Sequence, residues 1–109
     1  MSERARQVIA DPTNLRLVSS ASAWEIATKH RLGRLPGGER VLAVYAHHLR
    51  TLRAVELPIT LEHAILAGGF PHPRRDPFDR VLAAQAMIEG ALLVSTDRSF
   101  DQFGPRRLW

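Results

Sequence analysis

Ala91-Leu92-Leu93-Val94-Ser95 decides the fold. A continuous apolar run of this kind is expected of a parallel strand buried on both faces. Gly90 before it is the stop of a helix that starts at Pro77 and carries Val81, Leu82, Gln85 and Ile88. Asp76 and Pro77 suit the N-cap and the first helical position. Further upstream, Phe70 to Arg75 is an irregular loop rich in proline and arginine. Thr60 caps a helix over Leu61 to Ala67, stopped by Gly68-Gly69. Ala54 to Leu57 is a short strand ended by Pro58. Glu39 to Leu52 is a helix whose Val41, Leu42, Tyr45, Leu49 and Leu52 recur at helical spacing, as a core-facing stripe would. Leu35 to Gly38 is a loop. Ser20 starts a helix that runs through Trp24 to Arg31, with Gly33 at its left-handed end. Leu15 to Ser19 reads as a strand. Ser2 caps a first helix to Ala10, with Ala5, Val8 and Ile9 on one face, and Asp11-Pro12-Thr13-Asn14 turns the chain. Downstream, Asp97 to Gln102 is a short turn or helix, and Arg106-Arg107-Leu108 forms a final edge strand. Strands alternating with helices argue an α/β domain with a mostly parallel sheet flanked by helices. No repeat, low-complexity stretch or linker divides the 109 residues, which are expected to form one small domain.

Composition narrows the function classes. Apolar residues make up 45% and charged residues 24%, an ordinary globular balance that argues against disorder. The absence of cysteine excludes a disulfide scaffold and a thiolate metal site, and it fits a cytoplasmic protein. No apolar run approaches the roughly 20 residues of a membrane span. The formal charge is +4, carried by arginine, with Lys29 as the single lysine. The planar guanidinium fork suits phosphate, so nucleic acid is compatible with this balance without being required by it.

In parallel sheets, ligands bind beyond the carboxyl ends of the strands. Glu25 lies in the helix after the strand Leu15–Ser19. Asp97 directly follows Ala91–Thr96. Asp79 lies in the first turn of the helix leading into that strand. Carboxylates gathered there repel one another unless a cation sits between them, and hard divalent ions take oxygen ligands. Each acid also has a plainer reading. Asp76 and Asp79 suit an N-cap and a first-turn acid. Asp97 suits an N-cap for Arg98–Gln102, and Glu25 suits an ion pair with Lys29 at the favoured four-residue spacing.

The five histidines offer no zinc-like spacing. His72, in the arginine-rich loop, is the best placed for a phosphate or base contact. Arg74, Arg75, Arg80 and Arg98 lie near the acids in sequence and suit RNA phosphates. The alternative for Arg75 and Arg80 is simple charge compensation. Trp24, followed by Ile26 and Ala27, is expected in the core.

Ser20-Ala21-Ser22-Ala23-Trp24-Glu25-Ile26-Ala27-Thr28-Lys29-His30, followed by Leu32-Gly33-Arg34-Leu35-Pro36, resembles a segment of the VapC-type PIN-domain toxins. Leu57-Pro58-Ile59-Thr60 is similar to the family's next junction. Pro71-His72-Pro73-Arg74-Arg75-Asp76-Pro77-Phe78-Asp79-Arg80 with Ala84-Gln85-Ala86, and Leu93-Val94-Ser95-Thr96-Asp97-Arg98-Ser99-Phe100, complete the resemblance in order. It implies a parallel sheet between helices and cleavage of single-stranded RNA with Mg²⁺ or Mn²⁺ held by about four acids. By position, Glu25, Asp79 and Asp97 correspond to the second, third and fourth acids, with Asp76 as a possible further one. It also implies a cognate antitoxin and a homodimer. Family members open on an apolar strand ending in an aspartate. Ser2-Glu3-Arg4-Ala5-Arg6 instead resembles the helix that follows it. The resemblance therefore implies a chain lacking the family's first strand and first acid, with activity impaired. The alternative is a non-catalytic remnant that binds antitoxin or RNA.

Overall fold

The computed structural model describes residues 2–51, 53–71, 76–95 and 98–108, apart from the side chains of residues 44–46, 48, 49, 99 and 102. The elements are α1 (Glu3–Ala10), β1 (Leu17–Ser19), α2 (Ser20–Arg31), α3 (Gly38–Thr51), β2 (Val55–Leu57), α4 (Leu61–Gly69), α5 (Pro77–Glu89), β3 (Leu93–Val94), a 3₁₀ turn (Arg98–Gln102) and β4 (Arg107–Leu108). Helices alternate with parallel strands, as the α/β reading requires. The described strands form two two-stranded sheets, β1 with β2 and β3 with β4. Contacts divide the chain into two compact units, Leu15–Pro58 and Met1–Asn14 with Ile59–Trp109. No helix among the described residues is long and apolar enough to cross a membrane.

In the unit Leu15–Pro58, β1 and β2 pair in parallel with Leu17 opposite Val55 and Ser19 opposite Leu57. The Ser19 hydroxyl caps α2 by accepting from the Ala21 N–H at 3.0 Å. Ser20 Oγ reaches the Leu57 carbonyl at 3.4 Å, tying the start of α2 to the end of β2. α2 ends where Gly33 turns left-handed, at φ +70. The Gly33 N–H then bonds to the His30 carbonyl and the Arg34 N–H to that of Lys29, the paired bonds of a Schellman closure. α3 starts at Gly38, where an added Cβ would lie 2.8 Å from the His30 Cβ. Two helices approach there because one of them presents only hydrogen.

Two expectations about this unit are corrected. Trp24 is 54% exposed, not core. Ile26 follows it in sequence but sits some 200° away round the helix. Ala27 and Arg31, three and seven residues on, share the outward side of Trp24 and are exposed with it. Val41 is also outward, at 39% exposure, whereas Leu42 is half-buried. The buried side of α3 is therefore narrower than a stripe that includes Val41. Leu52 and the side chains of Tyr45 and Leu49 lie outside the described residues.

In the other unit, Ser2 caps α1 through the Ala5 N–H at 3.1 Å. Asp11 closes the following turn on the Thr13 N–H and hydroxyl. α4 and α5 bury small residues, Ala67 in the first and Ala83, Ala84 and Ala86 in the second. Small side chains allow close approach, so most of the burial falls on neighbouring larger groups. Ala83, Phe100 and Phe103 form the buried cluster, with Phe70, Leu82 and Leu93 packed on it. Between the helices lie two buried polar side chains, His63 and Gln85. The Thr60 N–H donates to His63 Nδ1 at 3.0 Å, and the Thr60 hydroxyl accepts from the His63 N–H at 3.1 Å. This is a capping box in which histidine fills the place usual for Glu or Gln. Nδ1 is therefore the acceptor, so the ring proton of the neutral form sits on Nε2, 3.5 Å from a Glu89 oxygen. Gly90, at φ +62, ends α5 with the same Schellman bonds, from Ala91 to Ala86 and from Gly90 to Met87.

The strand expected to be buried on both faces is not. β3 spans only Leu93–Val94, and Leu92 and Val94 are 42% and 37% exposed. β3 has one described strand neighbour, β4, bonded through the Leu93 and Ser95 N–H groups. Leu93 packs on the phenylalanine cluster, while Leu92 and Val94 take the opposite face by the two-residue period of a strand.

Gly38→Ala should destabilise the chain by about 1–3 kcal/mol, the usual cost of forcing an atom into a packed contact. Gly68→Ala, in α4 with open space at its Cβ position, should be neutral or stabilise by up to about 1 kcal/mol. Thermal unfolding of the two variants beside the parent checks both; equal melting temperatures for all three would show that α2 and α3 do not meet at Gly38.

Candidate metal centre

The acids that the structure brings together on one element are Asp76 and Asp79. Asp76 is the N-cap of α5, in extended backbone, and its Oδ1 accepts from the Phe78 and Asp79 N–H groups at 3.0 and 3.3 Å. Pro77 at the first helical position sacrifices no bond there, because that N–H would have no helical partner. Asp79 lies in the same turn and is only 8% exposed. A carboxylate oxygen of each lies within 4.8 Å of the other. The first-turn N–H groups and the helix dipole compensate part of this charge. Hard oxygen donors crowded on a partly buried turn fit a hard divalent cation better than any soft metal.

Glu25 belongs to the other unit. It sits on the second turn of α2, six residues beyond the end of β1, and its Oε2 lies 3.1 Å from Lys29 Nζ. The i,i+4 pair expected from sequence is therefore present, and a half-exposed lysine holds it. Asp97 lies outside the described residues, as do Arg74, Arg75 and His72. Arg98 is exposed on the 3₁₀ turn. Asp101 is exposed and paired with Arg107, whose Nε is 3.0 Å from its Oδ1 and whose Nη1 donates to the Ser95 carbonyl at 3.0 Å.

Arg80 follows Asp79, and its described side-chain bonds go to backbone. Nε donates to the Ala67 carbonyl at 2.9 Å, and Nη2 to the carbonyls of Phe70 at 2.6 Å and Gly68 at 3.5 Å. Its guanidinium carbon sits 5.9 Å from the Phe70 ring centroid. The buried polar residues that sequence reading passed over are His63 and Gln85, whose side chains meet at 3.4 Å. The Thr60-x-x-His63 spacing held a signal for His63; an interior glutamine on a helix held none.

The PIN domain family model matches residues 1–104, and the chain belongs to that family. It is similar to Ribonuclease VapC16 of Mycobacterium tuberculosis, with 39% identity over 59 residues, 54% of this chain and 40% of that protein. The aligned stretch is thus less than half of that relative's length. No solved structure matches the chain.

Asp76 has two separable duties, a cap and a charge. Asp76→Asn keeps an acceptor for the Phe78 and Asp79 N–H groups and should leave stability within about 0.5 kcal/mol. Asp76→Ala should lose about 1 kcal/mol of stability. Urea unfolding distinguishes them; identical midpoints for the two variants would show that the cap carries no stability.

Proposed function

We propose that this chain is a metal-dependent endoribonuclease that cleaves single-stranded RNA as the toxin of a toxin–antitoxin pair, its 109 residues acting as one PIN-like domain. The observation that carries the proposal is Asp79, a carboxylate taken largely out of water and set within 4.8 Å of a second one. Such an arrangement costs stability when it serves packing alone. In a PIN-family chain it is what a cation site requires.

Glu25, Asp79 and Asp97 are the proposed ligands of Mg²⁺ or Mn²⁺, directly or through water. Asp76 is a further acid whose Oδ1 is already fixed by backbone N–H groups. When bound, the ion supplies an activated water and a counter-charge for the phosphodiester. The ligands' task is to hold it with few degrees of freedom, which a capped first turn does better than a loop. Arg74, Arg75 and Arg98 are proposed to hold RNA phosphates, a task that the sequence position of Arg80 suits as well. A second feature supports a polyanionic substrate. The unit Leu15–Pro58 has seven basic residues against three acidic ones, while the rest of the chain has eight of each. The whole surplus of +4 therefore sits on one unit, a distribution that concentrates attraction for phosphates. A cognate antitoxin, a homodimer and a cytoplasmic setting complete the proposal.

The test is cleavage of a fluorescent single-stranded RNA by the purified chain with Mn²⁺, with EDTA, and in the Asp79→Ala and Asp97→Ala variants. Cutting should require the metal and fall at least about a hundredfold in either variant, since each removes a direct ligand. Metal-independent cutting, or cutting unaffected by both substitutions, would overturn the reading. RNA retention without cutting under every metal condition would favour a binding remnant.

A further inference from the structure

The guanidinium of Arg80 does what an RNA-contacting arginine does not: it turns back into its own fold. Nε and Nη2 bond to three carbonyls at the end of α4, those of Ala67, Gly68 and Phe70. The last carbonyls of a helix have no helical partner, and a cation there also meets the negative end of the dipole. The same group lies against the Phe70 ring, which meets Phe103 of the buried cluster at 4.9 Å between centroids, tilted by 46°. Arg80 is therefore bonded on one side to α4 and to the core through Phe70. On the other side its backbone is the first helical turn of α5, with the Arg80 N–H bonded to the Asp76 carbonyl at 3.3 Å. Asp76 and Asp79 belong to that same turn.

We propose that Arg80 is a positioning residue for the Asp76–Asp79 carboxylate pair, clamping the start of α5 to the end of α4 so that the two acids keep the spacing a divalent ion needs. The proposal rests on the metal-site reading above. It assigns Arg80 a task distinct from phosphate binding, and the chemistry of the clamp separates the two. Donation from Nε and Nη2 to diverging carbonyls needs a rigid planar fork; a lysine ammonium, a point charge on a flexible stem, reproduces phosphate attraction but not this geometry.

The experiment compares the parent chain with Arg80→Lys, Arg80→Gln and Asp79→Asn. Mn²⁺ affinity is read by electron paramagnetic resonance of the free ion. Amide exchange at Phe78 and Asp79 reports the first turn of α5. Affinity for a single-stranded RNA is measured in EDTA. Both Arg80 variants should bind Mn²⁺ about tenfold more weakly, within the range for losing a group that orients a ligand. Both should exchange faster at Phe78 and Asp79, and both should keep RNA affinity within about twofold. Parent-like Mn²⁺ affinity and exchange in both variants would overturn the proposal. So would a Lys variant that behaves as the parent while the Gln variant loses RNA affinity, the pattern of a phosphate contact. If the parent and Asp79→Asn bind Mn²⁺ alike, the metal-site reading itself fails and this proposal fails with it; binding lost in Asp79→Asn but kept in both Arg80 variants sinks the positioning role alone.

Discussion

Two like charges on one helical turn set the terms for the unit that carries them. Asp76 and Asp79 present carboxylate oxygens within 4.8 Å of each other, and Asp79 is largely removed from water. At an effective dielectric of about 20, charges at that distance repel by roughly 3 kcal/mol. The start of a helix is one of the few places where a chain tolerates this. The dipole there is positive, and the first N–H groups have no other partner. Asp76 accepts two of them with one oxygen. The cap therefore rests on Asp76, and Asp79 adds charge to a helix start already favourable to it.

What keeps that turn in place is tertiary, not local. The alanines buried in α4 and α5 contribute little burial each. The orientation of the helix pair therefore depends on the few larger groups between and beyond them. His63 and Gln85 fill the interior with polar atoms that find partners there, the imidazole serving at once as capping residue and acceptor. Arg80 closes the far end on α4's carbonyls, and Phe70 transmits that closure to Phe103. Buried polar groups give direction where alanine contacts do not, because a misplaced hydrogen bond costs more than a misplaced methyl group.

The parts legible in the sequence were those fixed by neighbours in the chain. Asp76 with Pro77, Thr60, Gly33 and Gly90 mark helix ends because capping is settled within a few residues. The Glu25–Lys29 pair followed from helical spacing alone. Illegible were the quantities set by what lies across from a residue. Ala91–Ser95 has the composition of a fully buried strand, yet Leu92 and Val94 are half-exposed beside the single described neighbour β4. Trp24 reads as core by its neighbours in sequence and is outward by its phase on α2. The clamp of Arg80 spans 10 to 13 residues, so a guanidinium beside two aspartates reads first as their counter-charge. Spacing brought Asp76 and Asp79 together; only the structure showed that Asp79 is buried.

The distribution of charge adds a last step. A nuclease must attract a polyanion and yet keep its acids free to hold a cation, and these demands conflict if both charges crowd one place. Here the basic surplus lies wholly in Leu15–Pro58, while the unit carrying Asp76 and Asp79 is formally neutral. Within that neutral unit Arg80 bonds to helix carbonyls and Arg107 to Asp101 and the Ser95 carbonyl, while Arg98 is exposed. On the proposed reading, long-range attraction of RNA falls to the basic unit, and salt would weaken that attraction by screening.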